Sequence, residues 1–306
     1  MRKHLLYGAI VFVVVILLFT LLPSVYSNED LFFQAMVYLA LAQGVNILYG
    51  FTGYLPFGYV GFFGTGAYAT ALSITLLHIP PIPAILIGGL ASVVLGILLS
   101  PLLRLSGAYF AIGSLAASQM VYYIVSNPAL QNLTNGPYGI NLESVYQPRA
   151  SYITMIVIVA LVMGVVIYIR NSRFGLALQA IREDPVSAGM AGIHVVRQRA
   201  MAWFLSAMIA GVVGGAFAWH ISVFYPTTVF DLNISIFAIV FTLFGGVTTV
   251  LGPVLGMFVL YGFYNVIGIS EPQYFQLIYG VLILVLVLFL PSGMVSLMKR
   301  RGHYVP

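Results

Sequence analysis

The sequence predicts an all-α polytopic membrane bundle of about ten transmembrane helices in one domain, with both termini cytoplasmic. Three observations carry that expectation. The chain of 306 residues is 61% hydrophobic and only 6% charged, where a soluble globular domain carries about 25% charged residues. Its apolar residues gather into runs of the length a bilayer crossing needs, about 20 residues each. The Lys and Arg residues sort to one side of those runs, as cytoplasmic loops require.

The runs fall near 5–22, 31–50, 55–77, 82–103 and 106–126, then near 152–169, 200–222, 233–250, 252–269 and 274–292. The first follows Arg2 and Lys3 and resembles a signal peptide. No small-residue cleavage site precedes Asn28, Glu29 and Asp30, so it reads as a retained span. With an inside N-terminus, every Lys and Arg except Arg149 is cytoplasmic, while Glu29, Asp30, Glu143, Asp231 and Glu271 lie outside. Topology therefore accounts for the net charge of +5, and nucleic acid is not an expected partner.

Two loops are long. The outer one, 127–151, is rich in Pro, Gly and Asn and reads as a turn-rich cap. The inner one, 170–199, carries an apolar stripe at Phe174, Leu176, Ala177, Ala180 and Ile181 at near-helical spacing. Asp184 followed by Pro185 is an N-cap with a first-turn proline, and Gly192 is placed to end the short helix so begun. Two short cytoplasmic helices are expected.

Absences narrow the chemistry. The lysines are Lys3 and Lys299, so no phosphate-binding G-x-x-x-x-G-K-[ST] loop is present. There is no cysteine, and between Asp30 and Arg104 there is no Asp, Glu, Lys or Arg to carry a proton or a charge at membrane depth. His78 and His220, near outer ends, read as interfacial packing, with a relay as the alternative. No acid/base or metal-ligand pair sits at a working spacing within one span, which argues against an enzyme. A solitary ion-coupled carrier or channel stays open, since backbone carbonyls can hold sodium.

Glycines crowd 50–66 and again 243–256. For Gly61 and Gly64 close helix packing is the first reading. From Thr52 through Gly53, Tyr54, Pro56 and Phe57 to Gly58, a helix break lining a polar path and a packed break are both open, because loose backbone is tolerated in a membrane only where protein or a cavity surrounds it. Asn46 and Tyr49 could add hydrogen-bonding groups to that path, or bond between helices. Gly245, Gly246, Gly252 and Pro253 form a candidate inner turn, read as a tight hairpin or as part of an inner gate.

The segments NILYGFTGYLPFGYVGFFGTGAY (46–68), GAYFAIGSL (107–115), LTNGPYGI (133–140), RNSRFGLALQAIREDPVSAGMAGI (170–193), GGVTTVLGPVLG (245–256) and LVLFLPSGMV (286–295) occur in this order. Together they resemble the longer permease type of branched-chain amino acid ABC transporters. The segments run from 46 to 295, so the first span lies outside the stretch they cover. The resemblance implies a solute-path subunit working by alternating access in the inner membrane of a prokaryote. The partners it implies are a second permease, two ATP-binding cassette subunits and an extracytoplasmic solute-binding protein. It implies no cofactor on this chain, with ATP and Mg used by the partners. It further implies an ATPase-docking loop of Phe174, Arg182, Glu183, Asp184, Pro185, Ala188, Gly189 and Gly192, whose A-x-x-x-G core is Ala188 and Gly192. Val186 stands where related loops carry an acid, with Glu183 and Asp184 nearby. Ala108 replaces a small acid of the family and Tyr59 a histidine, which removes two polar groups from the candidate path and leaves room for a solute other than leucine, isoleucine or valine.

Overall fold

The computed structural model describes residues 2–25 and 28–270, with isolated positions 277, 280, 281, 284 and 293–295. The helices in chain order are α1 (Arg2–Val25), α2 (Glu29–Val45), α3 (Tyr59–Leu77), α4 (Pro81–Leu98), α5 (Gly107–Val125) and the single turn α6 (Gln131–Thr134). Then come α7 (Pro148–Asn171), α8 (Arg173–Glu183), α9 (Pro185–Met190), α10 (Val195–Ile221), the single turn α11 (Pro226–Val229), α12 (Leu232–Gly245) and α13 (Leu251–Ser270). A π-helical turn, Asn46–Gly50, prolongs α2. Two short strands, β1 (Ile140–Asn141) and β2 (Val223–Phe224), pair antiparallel with Ile140 opposite Phe224.

Among the described residues, 7 helices are long and apolar enough to cross a membrane, and Tyr7–Pro23 and Leu251–Val266 are shorter apolar helices. These fall on the first nine of the expected runs. The expected run at 274–292 lies outside the continuously described residues.

Local chemistry moves several boundaries. Asn28 Oδ1 accepts the Leu31 N–H at 3.1 Å, which starts α2 at Glu29 rather than 31. Pro148 takes the first position of α7, so the cap loop ends before 148 rather than at 151. Gly246 adopts φ +119 and stops α12 at Gly245, so the expected span to 250 is five residues shorter and 246–250 is a turn. α3 begins at Tyr59 instead of 55 because the chain from Gly53 to Gly58 is not helical.

α2 is the most enclosed span, with 83% of its apolar window buried, and α5 the least, with 22%. α4 turns Ile82, Leu86, Leu90, Val94 and Ile97 outward on one face. Such a stripe suits lipid and not water. α3 crosses α10 at backbone contact, since a Cβ on Gly66 would sit 2.1 Å from the Gly211 carbonyl oxygen. Gly61 and Gly64 admit Ser118 and the Phe230 ring in the same way, at 2.9 and 2.5 Å from an added Cβ.

The bundle has two ends of different character. A basic end carries Arg104, Arg182 and Arg199 with α8, α9 and the 246–250 turn. A cap end carries the 126–147 loop and the β1–β2 ribbon.

Candidate coupling and pathway site

The Asn46–Gly58 stretch is a helix that has been broken. α2 widens into its π-turn, Thr52 Oγ1 donates to the Leu48 carbonyl at 2.5 Å, and the Gly53 N–H closes the last turn on the Tyr49 carbonyl at 2.9 Å. Gly53 then leaves the helix at φ +80, a conformation that favours glycine. A break of this kind leaves the final helix carbonyls without amide partners. Arg182 Nη1, from α8, donates to the Gly50 carbonyl at 2.5 Å. A guanidinium here also meets the negative end of the helix dipole.

Asn46 is 0% exposed and uses both ends of its amide on one partner segment. Its Oδ1 accepts the Thr248 N–H at 2.8 Å, and its Nδ2 donates to the Thr249 carbonyl at 2.9 Å. One turn earlier on α2, buried Gln43 donates through Nε2 to the Val250 carbonyl at 2.8 Å. The turn so held is strained, because Thr248 is β-branched and sits at φ 65. Thr249 Oγ1 accepts the Gly252 N–H and donates to the Gly246 carbonyl, both at 2.9 Å. Gly252 and Pro253 lie in the first turn of α13, and a Cβ on Gly245 would strike the Gly252 carbonyl oxygen at 1.8 Å. Sequence reasoning put Asn46 and the inner turn in separate groups, and the fold joins them.

Beyond the break, α3 starts with its amides capped by other helices. Ser114 Oγ accepts the Gly58 N–H at 3.2 Å, and Ser235 Oγ accepts the Val60 N–H at 2.8 Å. The Tyr59 hydroxyl is buried and donates to the Ser206 carbonyl at 2.9 Å. Tyr54 meets Phe110 edge-on at 4.8 Å and lies under the Arg199 guanidinium at 4.7 Å. Pro56 is buried and Tyr49 half-buried. Of the nine expected path residues, Gly53 and Phe57 line a cavity of about 500 Å³, together with Leu55, Ala108, Ala111 and Ile112 among others. No charged side chain lines it.

The docking loop is two helices in series. Ser172 Oγ caps α8 through the Gly175 N–H at 3.2 Å. α8 buries Gly175, Leu178 and Ile181, with Phe174, Ala177 and Ala180 half-buried, so of the expected stripe only Leu176 turns outward. Asp184 caps α9, its carboxylate accepting the Val186 and Ser187 N–H groups at 3.0 and 3.1 Å and the Ser187 hydroxyl. That hydroxyl, then the two amides, hold the Asp184 carboxyl below its ordinary value of 3.8. At the far end, Gly192 at φ +85 lets the Ile193 N–H reach the Ala188 carbonyl at 3.1 Å and close the helix. Ala188 is buried, while Glu183, Pro185, Val186, Gly189 and Met190 are exposed. Arg182 instead faces the bundle, along a cleft of about 480 Å³ that α8 shares with Val247 and Thr248.

At the cap end sits a constellation that sequence reasoning missed. His220 on α10 contacts Asp30 Oδ1 on α2 through Nε2 at 3.1 Å and Ser151 Oγ on α7 through Nδ1 at 2.8 Å, and it stacks on Phe33 at 3.6 Å. The residue types are those of a hydrolase, but Ser151 is 0% exposed and its hydroxyl also lies 2.9 Å from the Pro148 carbonyl. No substrate carbonyl can reach it, so the group is a tie between three helices. His78, the other histidine considered, is the left-handed C-cap of α3. Among the described residues, no group of three His, Cys, Asp or Glu side chains could hold a metal ion.

The family described as branched-chain amino acid transport system, permease component, matches residues 27–287. The high-affinity branched-chain amino acid transport system permease protein LivM of Salmonella typhimurium is 26% identical over 307 residues, covering 90% of this chain and 71% of that protein. The high-affinity branched-chain amino acid transport system permease protein BraD of Pseudomonas aeruginosa is 25% identical over 284 residues, covering 85% of this chain and 91% of that protein. The fructose import permease protein FrcC of Rhizobium meliloti is 30% identical over 140 residues, 43% of this chain and 39% of its own. No solved structure matches the chain. A helical bundle of membrane-length spans, no phosphate loop, and a family match over most of its length place this chain among the permease components of branched-chain amino acid transport systems.

Proposed function

We propose that this permease subunit of an ABC importer carries branched-chain or related amino acids inward by alternating access. It pairs with a second permease, is driven by two separate ATP-binding cassette subunits that use ATP and Mg, and receives solute from an extracytoplasmic binding protein. The basic end is cytoplasmic, by the positive-inside rule, in the inner membrane of a prokaryotic cell.

The observation that carries the reading is the α8–α9 loop at the basic end. It offers Leu176, Val186 and Met190 at 62, 69 and 80% exposure on a capped, stiff support. Apolar side chains held rigidly outside the membrane spans suit a protein partner. The cavity beside Phe57 and Ala108 has the volume of a small-molecule site and an apolar lining that suits an aliphatic side chain.

The test is purification of the tagged chain from its native membrane in mild detergent, with identification of what accompanies it and an ATPase assay on the eluate. A second permease and ATP-binding subunits are expected. Met190→Glu should reduce recovery of the ATP-binding subunits about tenfold. This position is cleaner than Gly192, where φ +85 strains any side chain. Reproducible recovery of the chain alone, with solute uptake driven by an ion gradient, would sink the proposal in favour of a solitary carrier. Competition of labelled leucine uptake by valine but not by fructose is the expected solute profile.

A further inference from the structure

We infer that Arg182 and Asn46 are the positioning residues through which the docking loop moves the solute path, with the π-turn of α2 as the joint between them. The inference rests on the ATP-driven importer reading above and adds the residues that transmit the motion.

The geometry points to one mechanical body built from three distant segments. Arg182 belongs to α8, the helix that leads into the exposed α9. Its guanidinium holds the Gly50 carbonyl, the last residue of the π-turn. Asn46, the first residue of the same turn, holds Thr248 and Thr249. A displacement of α8 therefore reaches the 246–250 turn through the five residues of the π-turn, alongside the cleft that α8 shares with Val247 and Thr248. That turn joins α12 to α13, and Gly293 and Val295 pack against its Gly246.

Two further observations support a joint over ordinary packing. A π-turn is uncommon in regular helices and collects at functional positions. Thr248 is held at φ 65, where a β-branched residue does not rest unless its surroundings force it. The Asn46 carboxamide accepts the N–H of that same residue. The strained turn is thus pinned by the helix that Arg182 holds, and Gly53 and Phe57, just past the joint, line the cavity beside Ala108. Movement at α8 would reach that lining through the Arg182 hydrogen bond and the short chain from Gly50 to Gly53.

The experiment uses the full importer reconstituted in proteoliposomes, with solute uptake and ATP hydrolysis measured in the same vesicles. Arg182→Ala should lower uptake per ATP hydrolysed about tenfold while hydrolysis stays within about twofold of wild type. Arg182→Lys, which keeps a cationic donor for the Gly50 carbonyl, should recover most of the ratio. Thr248→Gly keeps the backbone groups that Asn46 binds but frees the turn. It should leave the thermal midpoint unchanged or raised while lowering the ratio about threefold. A merely structural role would move stability and transport together. If all three variants keep the wild-type ratio, or if Thr248→Gly alone assembles and keeps it, the joint is refuted. If the wild-type vesicles hydrolyse ATP without importing, or need no ATP, it is the importer reading that fails.

Discussion

The two ends of α2 are both tied to other helices by polar side chains, and the ties differ in what happens when they are cut. At the basic end, Gln43 and Asn46 are 0% exposed and hold backbone groups of the 248–250 turn in neutral amide contacts. At the cap end, Asp30 meets His220 with its side chain 82% exposed. Removing a partner from a buried amide leaves a dry donor or acceptor, at about 1–3 kcal/mol each. Asp30, by contrast, would take water. Cutting the tie at the basic end therefore strands buried groups on both sides of it, while cutting the Asp30–His220 contact strands only the His220 ring nitrogen.

The sharpest way to break this comparison is Asn46→Leu. It removes the side-chain partner of the half-buried Thr248 N–H and of the carbonyl of buried Thr249. The expected loss is about 3 kcal/mol, read as a lower unfolding midpoint of the purified chain. A loss no larger than that of the cap-end variant would remove the asymmetry.

A smaller effect is expected from His220→Phe, which keeps a ring against Phe33 and cuts the bonds to Asp30 and Ser151. The cost should be about 1 kcal/mol, because Asp30 rehydrates and the Ser151 hydroxyl keeps the Pro148 carbonyl in reach. Hydrogen exchange at the start of α2 and of α7 would report whether the tie is as light as its exposure implies.

The smallest effect sharpens the comparison within the basic end, where α9 is exposed and the joint is buried. Asp184 is held below its ordinary value of 3.8, so the stability of its cap is fully present above that pH and is lost as pH falls through the lower folded value. Protection of the Val186 and Ser187 amides, taken relative to their intrinsic exchange at each pH, should fall under acid, while that of Thr248 holds, since its partner Asn46 does not titrate. Equal loss of protection at both places would show that the loop and the joint open together.

Much of the architecture was legible in the sequence because lipid imposes a simple rule on composition and length. The first nine runs each met a helix, and the Asp184–Pro185 start and Gly192 stop located α9, because caps act over a few residues. The glycines and Pro56 announced the break at 53–58 for the same local reason. What escaped were contacts between positions far apart in the chain. Asn46 was noticed as polar, but nothing near it names Thr248, and Asp30 and His220 read separately as loop and interface residues. In the α8 stripe Ile181 is buried and Phe174, Ala177 and Ala180 are half-buried as spacing suggests, and the misplaced member is Leu176, whose exposure is set by what α8 packs against. Of the residues at the break, Gly53 and Phe57 line the cavity beside Ala108, while Tyr59, Gly58 and Thr52 satisfy their polar groups inside the protein.

The π-turn at Asn46–Gly50 also fixes how this chain tolerates changes in length. A π-turn is an α-helix with one residue too many. A π-turn closes its hydrogen bonds over five residues where an α-turn closes them over four, so it absorbs the extra residue locally and leaves the helix on either side in phase. Deleting Ile47 or Leu48 should therefore relax the turn to α-helix while Gln43 stays over Val250 and the Gly50 carbonyl stays near Arg182. A deletion in the regular part of α2, at Leu39 for example, would instead rotate everything after it by about 100° and break both contacts. The π-turn is thus the place where α2 can lose a residue and keep its partners.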